Sequence, residues 1–161
     1  MKKILLSLLL SLSFSVVATQ PSIKENAKKL LEQSAHVDTV DWYDKGDTSF
    51  AENDAFMGVY RHLKASVKND EINIKMQFVS GPKRPDSNDF SRITSEVCHS
   101  VISRIVSPEP SSDKSAAFDF MLNSNLDDYS VFNEKLSKKI DGWDVSIYRI
   151  AMLTTCSAKK I

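Results

Sequence analysis

The sequence carries no excess charge of either sign: 21 lysines and arginines stand against 21 aspartates and glutamates. Such a balance generates no strong field, which excludes recruitment of nucleic acid or an anionic membrane surface by bulk electrostatics. Glycine is scarce, at 4 residues, and the 5 prolines gather in no linker, so nothing divides the chain into units. Cysteine is nearly absent, with only Cys98 and Cys156. Two cysteines cannot supply paired C-x-x-C units, and the three histidines, His36, His62 and His99, do not stand at zinc-ligand spacing. Neither a G-x-G-x-x-G nor a P-loop occurs, and no G-x-S-x-G elbow marks a serine hydrolase. We therefore expect no metal, no cofactor and no catalytic residue.

One apolar run is long enough to matter, and it lies at the start. Lys2 and Lys3 precede a run from Ile4 to Val17 broken only by serines, and Val16, Val17 and Ala18 end it with small or β-branched residues. That is the pattern of a secretory signal peptide over residues 1–18, shorter than the ~18–20 apolar residues a membrane span needs. No cysteine sits near the expected cleavage point to carry a lipid. The mature chain, residues 19–161, is then expected in the periplasm or outside the cell, with no membrane anchor. Loss of Lys2 and Lys3 leaves 19 basic against 21 acidic residues, still near neutral. About 140 residues suffice for one domain with a core.

In an oxidising compartment a lone pair of cysteines forms a disulfide. Cys98 stands next to His99 in "SEVCHSVISR", which raises the alternative of a nucleophile and its base. Helix geometry argues against it. Phe90, Ile93, Val97, Val101 and Ile105 recur at spacings of three and four, which is one face of a helix running from about Asp86 to Val106. Cys98 lies at the edge of that face and His99 points away, and adjacent helical residues do not face each other. A Cys98–Cys156 bridge is expected instead, stabilising by roughly 3–4 kcal/mol through loop closure.

The remaining elements follow from periodicity and turn chemistry. Ser22-x-x-Glu25 is a capping-box pattern ahead of Ile23, Ala27, Leu30 and Leu31, which predicts a helix from Ser22 to Ser34. A short strand ends at the turn-prone Asp44-Lys45-Gly46-Asp47. Met57, Val59, Leu63, Ala65 and Val67 alternate, as do Ile72, Ile74, Met76 and Phe78, giving a hairpin across residues 68–71. Ala116, Phe118, Phe120 and Leu122 read as a further strand. Asp141-Gly142 predicts a type I′ turn that fixes the last hairpin's register, with Leu136 facing Ile147, Phe132 facing Ala151 and Glu134 facing Arg149. Cys156 then has the wrong parity to share a face with Ile147, unless a bulge or strand end re-aims it or the Cys98 helix packs on the Tyr148–Ile150–Met152 side. The expected architecture is α+β: an antiparallel sheet with two main helices packed on one face, in the order α-β-β-β-α-β-β-β, closed by one disulfide.

Binding features outweigh catalytic ones. Trp42 and Tyr43 lie in an acidic stretch, and Trp143 follows the tight turn; exposed aromatics of this kind anchor interfaces. Lys83 and Arg84 sit in the rigid "GPKRP" loop, which would suit an acidic partner. Asp38, Asp41, Asp44 and Asp47 recur every third residue, but the spacing fits no EF-hand loop, and a solvated acidic edge is the expected role. Lys135, Lys138 and Lys139 would protect a sheet edge. The reading is an exported, non-enzymatic binding protein of the bacterial envelope that acts by protein–protein contact, as an inhibitor, an immunity-type protein or an accessory factor. The alternatives are a periplasmic carrier of a small ligand and, behind it, a small hydrolase using Cys98 or an acid pair. The partner's identity and the oligomeric state are not written in the sequence. Intact mass spectrometry of the exported protein should give a chain starting near Thr19 that takes up no alkylating agent when denatured without reductant. Two alkylated sulfurs would remove the bridge and return Cys98 to the list of nucleophiles.

Overall fold

The structure is a computed structural model, and it describes residues 21–34, 37, 40–53, 61–78, 87–108, 135–150 and 152–161. Ser22 caps the first helix, α1 (Ile23–Glu32), by accepting a hydrogen bond from the Glu25 backbone N–H at 3.2 Å, so the capping signal falls where the spacing placed it. Four strands follow: β1 (Asp41–Lys45), β2 (Thr48–Asn53), β3 (Arg61–Val67) and β4 (Glu71–Phe78). The second helix, α2 (Ser87–Cys98), continues into a π-helical turn, His99–Ser103, and a last α-turn, Arg104–Val106. Three more strands close the chain: β5 (Lys135–Ile140), β6 (Trp143–Ile150) and β7 (Leu153–Lys160). The strand expected at residues 116–122, the signal peptide, Met57 and Val59, and the Phe132–Ala151 and Glu134–Arg149 pairs include residues outside those described.

The seven strands form one antiparallel sheet in the order β1-β2-β3-β4-β7-β6-β5. The α+β class with its antiparallel sheet, helices and disulfide is therefore as the sequence indicates. The element order differs. Among the described residues it is helix, four strands, helix, three strands. The first half gains β2, because Gly46-Asp47 is a two-residue hairpin turn rather than the end of a sheet segment, and Gly46 has the positive φ of +63° that such a turn needs at its first position. In the second half, the stretch from Trp143 onward is not one strand. It folds back between Ile150 and Leu153, which pair with each other.

That fold-back removes the parity conflict at Cys156. On β7 it pairs with Ile147 of β6 on one side and Ile74 of β4 on the other, so it shares their buried face after all. One row across the sheet reads Ala51, Ala65, Ile74, Cys156, Ile147 and Leu136, and the first five are almost fully buried. Asp141 and Gly142 both have positive φ, 49° and 80°, as the expected turn requires, and Leu136 pairs with Ile147 as its register dictates.

Contacts to this buried face place both helices. Cys98 is bonded to Cys156 with a Cα–Cα distance of 5.9 Å. Thr94 shares a hydroxyl hydrogen bond of 3.0 Å with Thr154, and Arg149 donates to the Ser95 hydroxyl. The α1 helix meets the β1 end, where the Trp42 indole N–H donates to Glu32 at 2.8 Å, and it reaches the π-turn through Ser34 and Ser100 at 2.5 Å. The π-turn has a physical reason. Ile93, Val97, Val101 and Ile105 advance by four residues each time, and over twelve residues an ordinary helix would rotate Ile105 about 120° away from Ile93. A wider turn takes up the surplus and keeps Val97, Val101, Ile102, Ile105 and Val106 all buried.

The bridge joins residues 58 apart in sequence. Replacing both cysteines by alanine should lower unfolding free energy by about 4 kcal/mol on chain-entropy arguments. Urea titration of the wild-type chain with and without reductant measures it, and matching midpoints would show that the sheet does not depend on the bridge.

Candidate functional site

Successive strand residues point to opposite faces, so the side chains between the buried ones form a second face, away from the helices. The β1–β2 register sets Tyr43 opposite Phe50, and β2–β3 and β3–β4 continue that row to Ser66 and Asn73. The neighbouring row reads Asp41, Glu52, Lys64, Lys75, Thr155, Tyr148 and Lys135. The rings of Tyr43 and Phe50 are stacked, with centroids 5.4 Å apart and planes 19° from parallel. Tyr43 is 53% exposed. Beside the rings lies a shallow slot of about 220 Å³, walled by Phe50 and by Glu52, Lys64 and Lys75, with Ser66 and Asn73 in its lining.

The electrostatics of the slot are unbalanced. Lys64 makes an ion pair with Glu52 at 3.1 Å. Lys75 sits directly opposite Lys64, like charge against like, an arrangement that opposes strand pairing. Three charged side chains thus share one wall, and the two cations outnumber the carboxylate. An apolar ring wall next to surplus ammonium suits a group that offers an apolar body with a carboxylate beside it.

Asp44 holds the edge of this face from behind. Its carboxylate accepts a hydrogen bond from the Ser49 hydroxyl and lies 3.2 Å from the Lys24 ammonium of α1. The Ser49 hydrogen bond chiefly, and then Lys24, hold the Asp44 carboxyl below its ordinary value. Arg149 is the notable charge on the buried face, and burial pulls its guanidinium down to about 10, which leaves it cationic at neutral pH.

The sequence-predicted residues scatter. Tyr43 is on the exposed face. Trp42, its neighbour, turns to the helix side, half-buried, with the Lys28 ammonium 5.3 Å from its ring centroid. Trp143 is in the core at 5% exposure, where its strand position opposes Ile140 and Lys160. Lys83 and Arg84 lie outside the described residues. Asp38 lies outside the described residues; Asp41 and Asp44 point to opposite faces, and Asp47 accepts a hydrogen bond from Thr48 at 2.9 Å, so the regular spacing does not gather the described acids on one face. Among the described residues no group of three or more His, Cys, Asp or Glu side chains could hold a metal ion. With both sulfurs in the bridge, Cys98 has no thiolate to offer, whatever stands beside it. Sequence reasoning missed Phe50, Glu52, Lys64 and Lys75. The signal for Phe50 was Gly46-Asp47, which as a hairpin turn predicts a strand on both sides.

No protein-family profile, no curated protein and no solved structure matches this chain.

Folding lowers the pKa of Asp44, so its ionised form stabilises the fold above the ordinary value of 3.8, and that contribution is lost as pH falls through the lower folded value. Asp44→Asn should therefore lower the thermal midpoint at neutral pH, and its gap to wild type should narrow below pH 3.8. Melting curves across pH for both proteins check this; a gap that stays constant into acid removes Asp44 as the cause.

Proposed function

We propose that the chain is an exported, non-enzymatic protein of the bacterial envelope that acts by protein–protein contact through the sheet face turned away from its helices. The observation that carries the reading is Tyr43, 53% exposed and stacked on Phe50, at the rim of a slot whose far wall is Lys64 and Lys75. A stacked pair on a paired strand is rigid, so binding it costs little side-chain entropy, and tyrosine is among the residues that dominate interface energies. The matching surface is an apolar side chain flanked by a carboxylate. An inhibitor, an immunity-type protein or an envelope accessory factor would each use such a face. The disulfide is compatible with an oxidising compartment, and export is part of this proposal.

The mature chain, tagged and exported at native level, should retain a stoichiometric protein partner from envelope extract. Tyr43→Ala and Lys75→Glu should each weaken that partner's binding by at least about tenfold, the scale of an interface hot spot. Lys29→Glu, on the exposed side of α1, should leave it unchanged. Equal capture by all four proteins would move the interface off this face, and capture of nothing would remove the reading.

A further inference from the structure

We infer that the outer edge of β1 is a self-pairing edge, at which a second copy of this chain adds its own β1 antiparallel to the first. Both β1 and β5 are edge strands among the described residues. The edges differ in charge. β5 carries Lys135, Lys138 and Lys139 with no carboxylate, which opposes pairing with its own copy and is the usual protection of an edge. β1, with the sequence DWYDK, carries both signs.

The register follows from the backbone. A two-residue turn makes Lys45 and Thr48 the hydrogen-bonded closing pair. Alternation then turns the N–H and C=O groups of Trp42 and Asp44 outward, away from β2. Two copies related by a two-fold axis at Tyr43 set Trp42 against the second copy's Asp44, so these outward groups bond each other. In the same register Asp41 meets the second copy's Lys45, twice over by symmetry, on the exposed face. Among the described residues neither has an ion-pair partner, and Asp41 stands directly opposite Glu52, so a cation arriving from outside relieves a like-charge contact. Tyr43 meets the second copy's Tyr43 as a close, non-hydrogen-bonded pair, which extends the Phe50–Tyr43 stack into a row of four rings and covers the exposed one. A shift of two residues toward the turn would instead oppose Asp44 to Asp44. Backbone, charge and aromatic stacking thus agree on one register. A contact of this type is isologous and closes at two copies.

The dimer edge shares Tyr43 with the partner-binding face but not Lys75, so Lys75→Glu, which disables that face, should leave the dimer intact. Sedimentation equilibrium of the mature chain should show a reversible dimer. Asp41→Lys should weaken dimerisation by about tenfold or more, since it turns two attractive cross-strand pairs repulsive. This variant places a lysine opposite Glu52, so the monomer fold is retained. Lys45→Asp alone should do the same, and the double swap Asp41→Lys with Lys45→Asp should restore the dimer. A wild-type chain that stays monomeric up to about 1 mM, a dimer indifferent to Asp41→Lys, a double swap that does not recover, or open-ended polymers joining β1 to β5 would each overturn it.

Discussion

Everything in this molecule hangs on the pairing of β4 with β7. Each half of the chain folds as a meander of neighbouring antiparallel strands, β1 to β4 in one and β5 to β7 in the other. Such local pairings cost little loop-closure entropy, but each meander alone would leave one face and one edge unsatisfied. The last strand of each meets the other in the middle of the sheet, over seven residue pairs from Glu71–Lys159 to Gln77–Leu153. The disulfide is fixed to that junction. Cys156 lies on β7 beside Ile74, and its bond to Cys98 pins α2 across the seam. The most expensive contact in entropy is thus the one that the covalent link makes cheaper.

Much of this was legible because it is local. Ser22 with Glu25, Asp141-Gly142 and the alternation of Ile72, Ile74 and Met76 each report on a few neighbouring residues, and the structure has them as read. Helix α2 and its cysteine were legible too, since burial follows the three-and-four spacing. What failed were places where one residue changes the count. The fold-back after Ile150 reverses the chain without a glycine, proline or asparagine to announce it, and a strand reading ran straight through. Gly46 did announce a turn, but β2 beyond it mixes Ser49 and Asn53 with Ala51 on the buried side, so its apolar signal is weak. The π-turn was present as a run of fours and was read as ordinary helix.

The exposed face proposed for binding was harder to see for a different reason. Its residues come from four strands and are adjacent only once the registers are known: Tyr43 and Phe50 by a hairpin, Phe50 and Ser66 by a second pairing, Lys64 and Lys75 by a third. On paper Lys64 and Lys75 are ordinary polar members of two alternating strands. Their meaning lies in standing opposite each other with one carboxylate, Glu52, on the far side of Lys64, a property of the row. Trp42 shows the converse. It looks like Tyr43 in composition and neighbourhood, yet period-two alternation sends it to the other side, where an indole hydrogen bond and a lysine hold it against α1.

That alternation gives the edge strand two separate jobs. On the helix side, Trp42 and Asp44 are tied to Glu32 and Lys24, at opposite ends of α1, so β1 is held along most of its length although among the described residues it has a strand neighbour on one side only. On the other side, Asp41, Tyr43 and Lys45 project with no tie to a helix among the described residues. An edge strand held on a single side ordinarily frays, and frayed edges make poor binding surfaces because ordering them must be repaid on contact. Clamping every second residue to a helix removes that cost for the residues between them. The helix that covers one face of the sheet thereby pre-orders the other, and a stacked tyrosine can stand exposed without being loose.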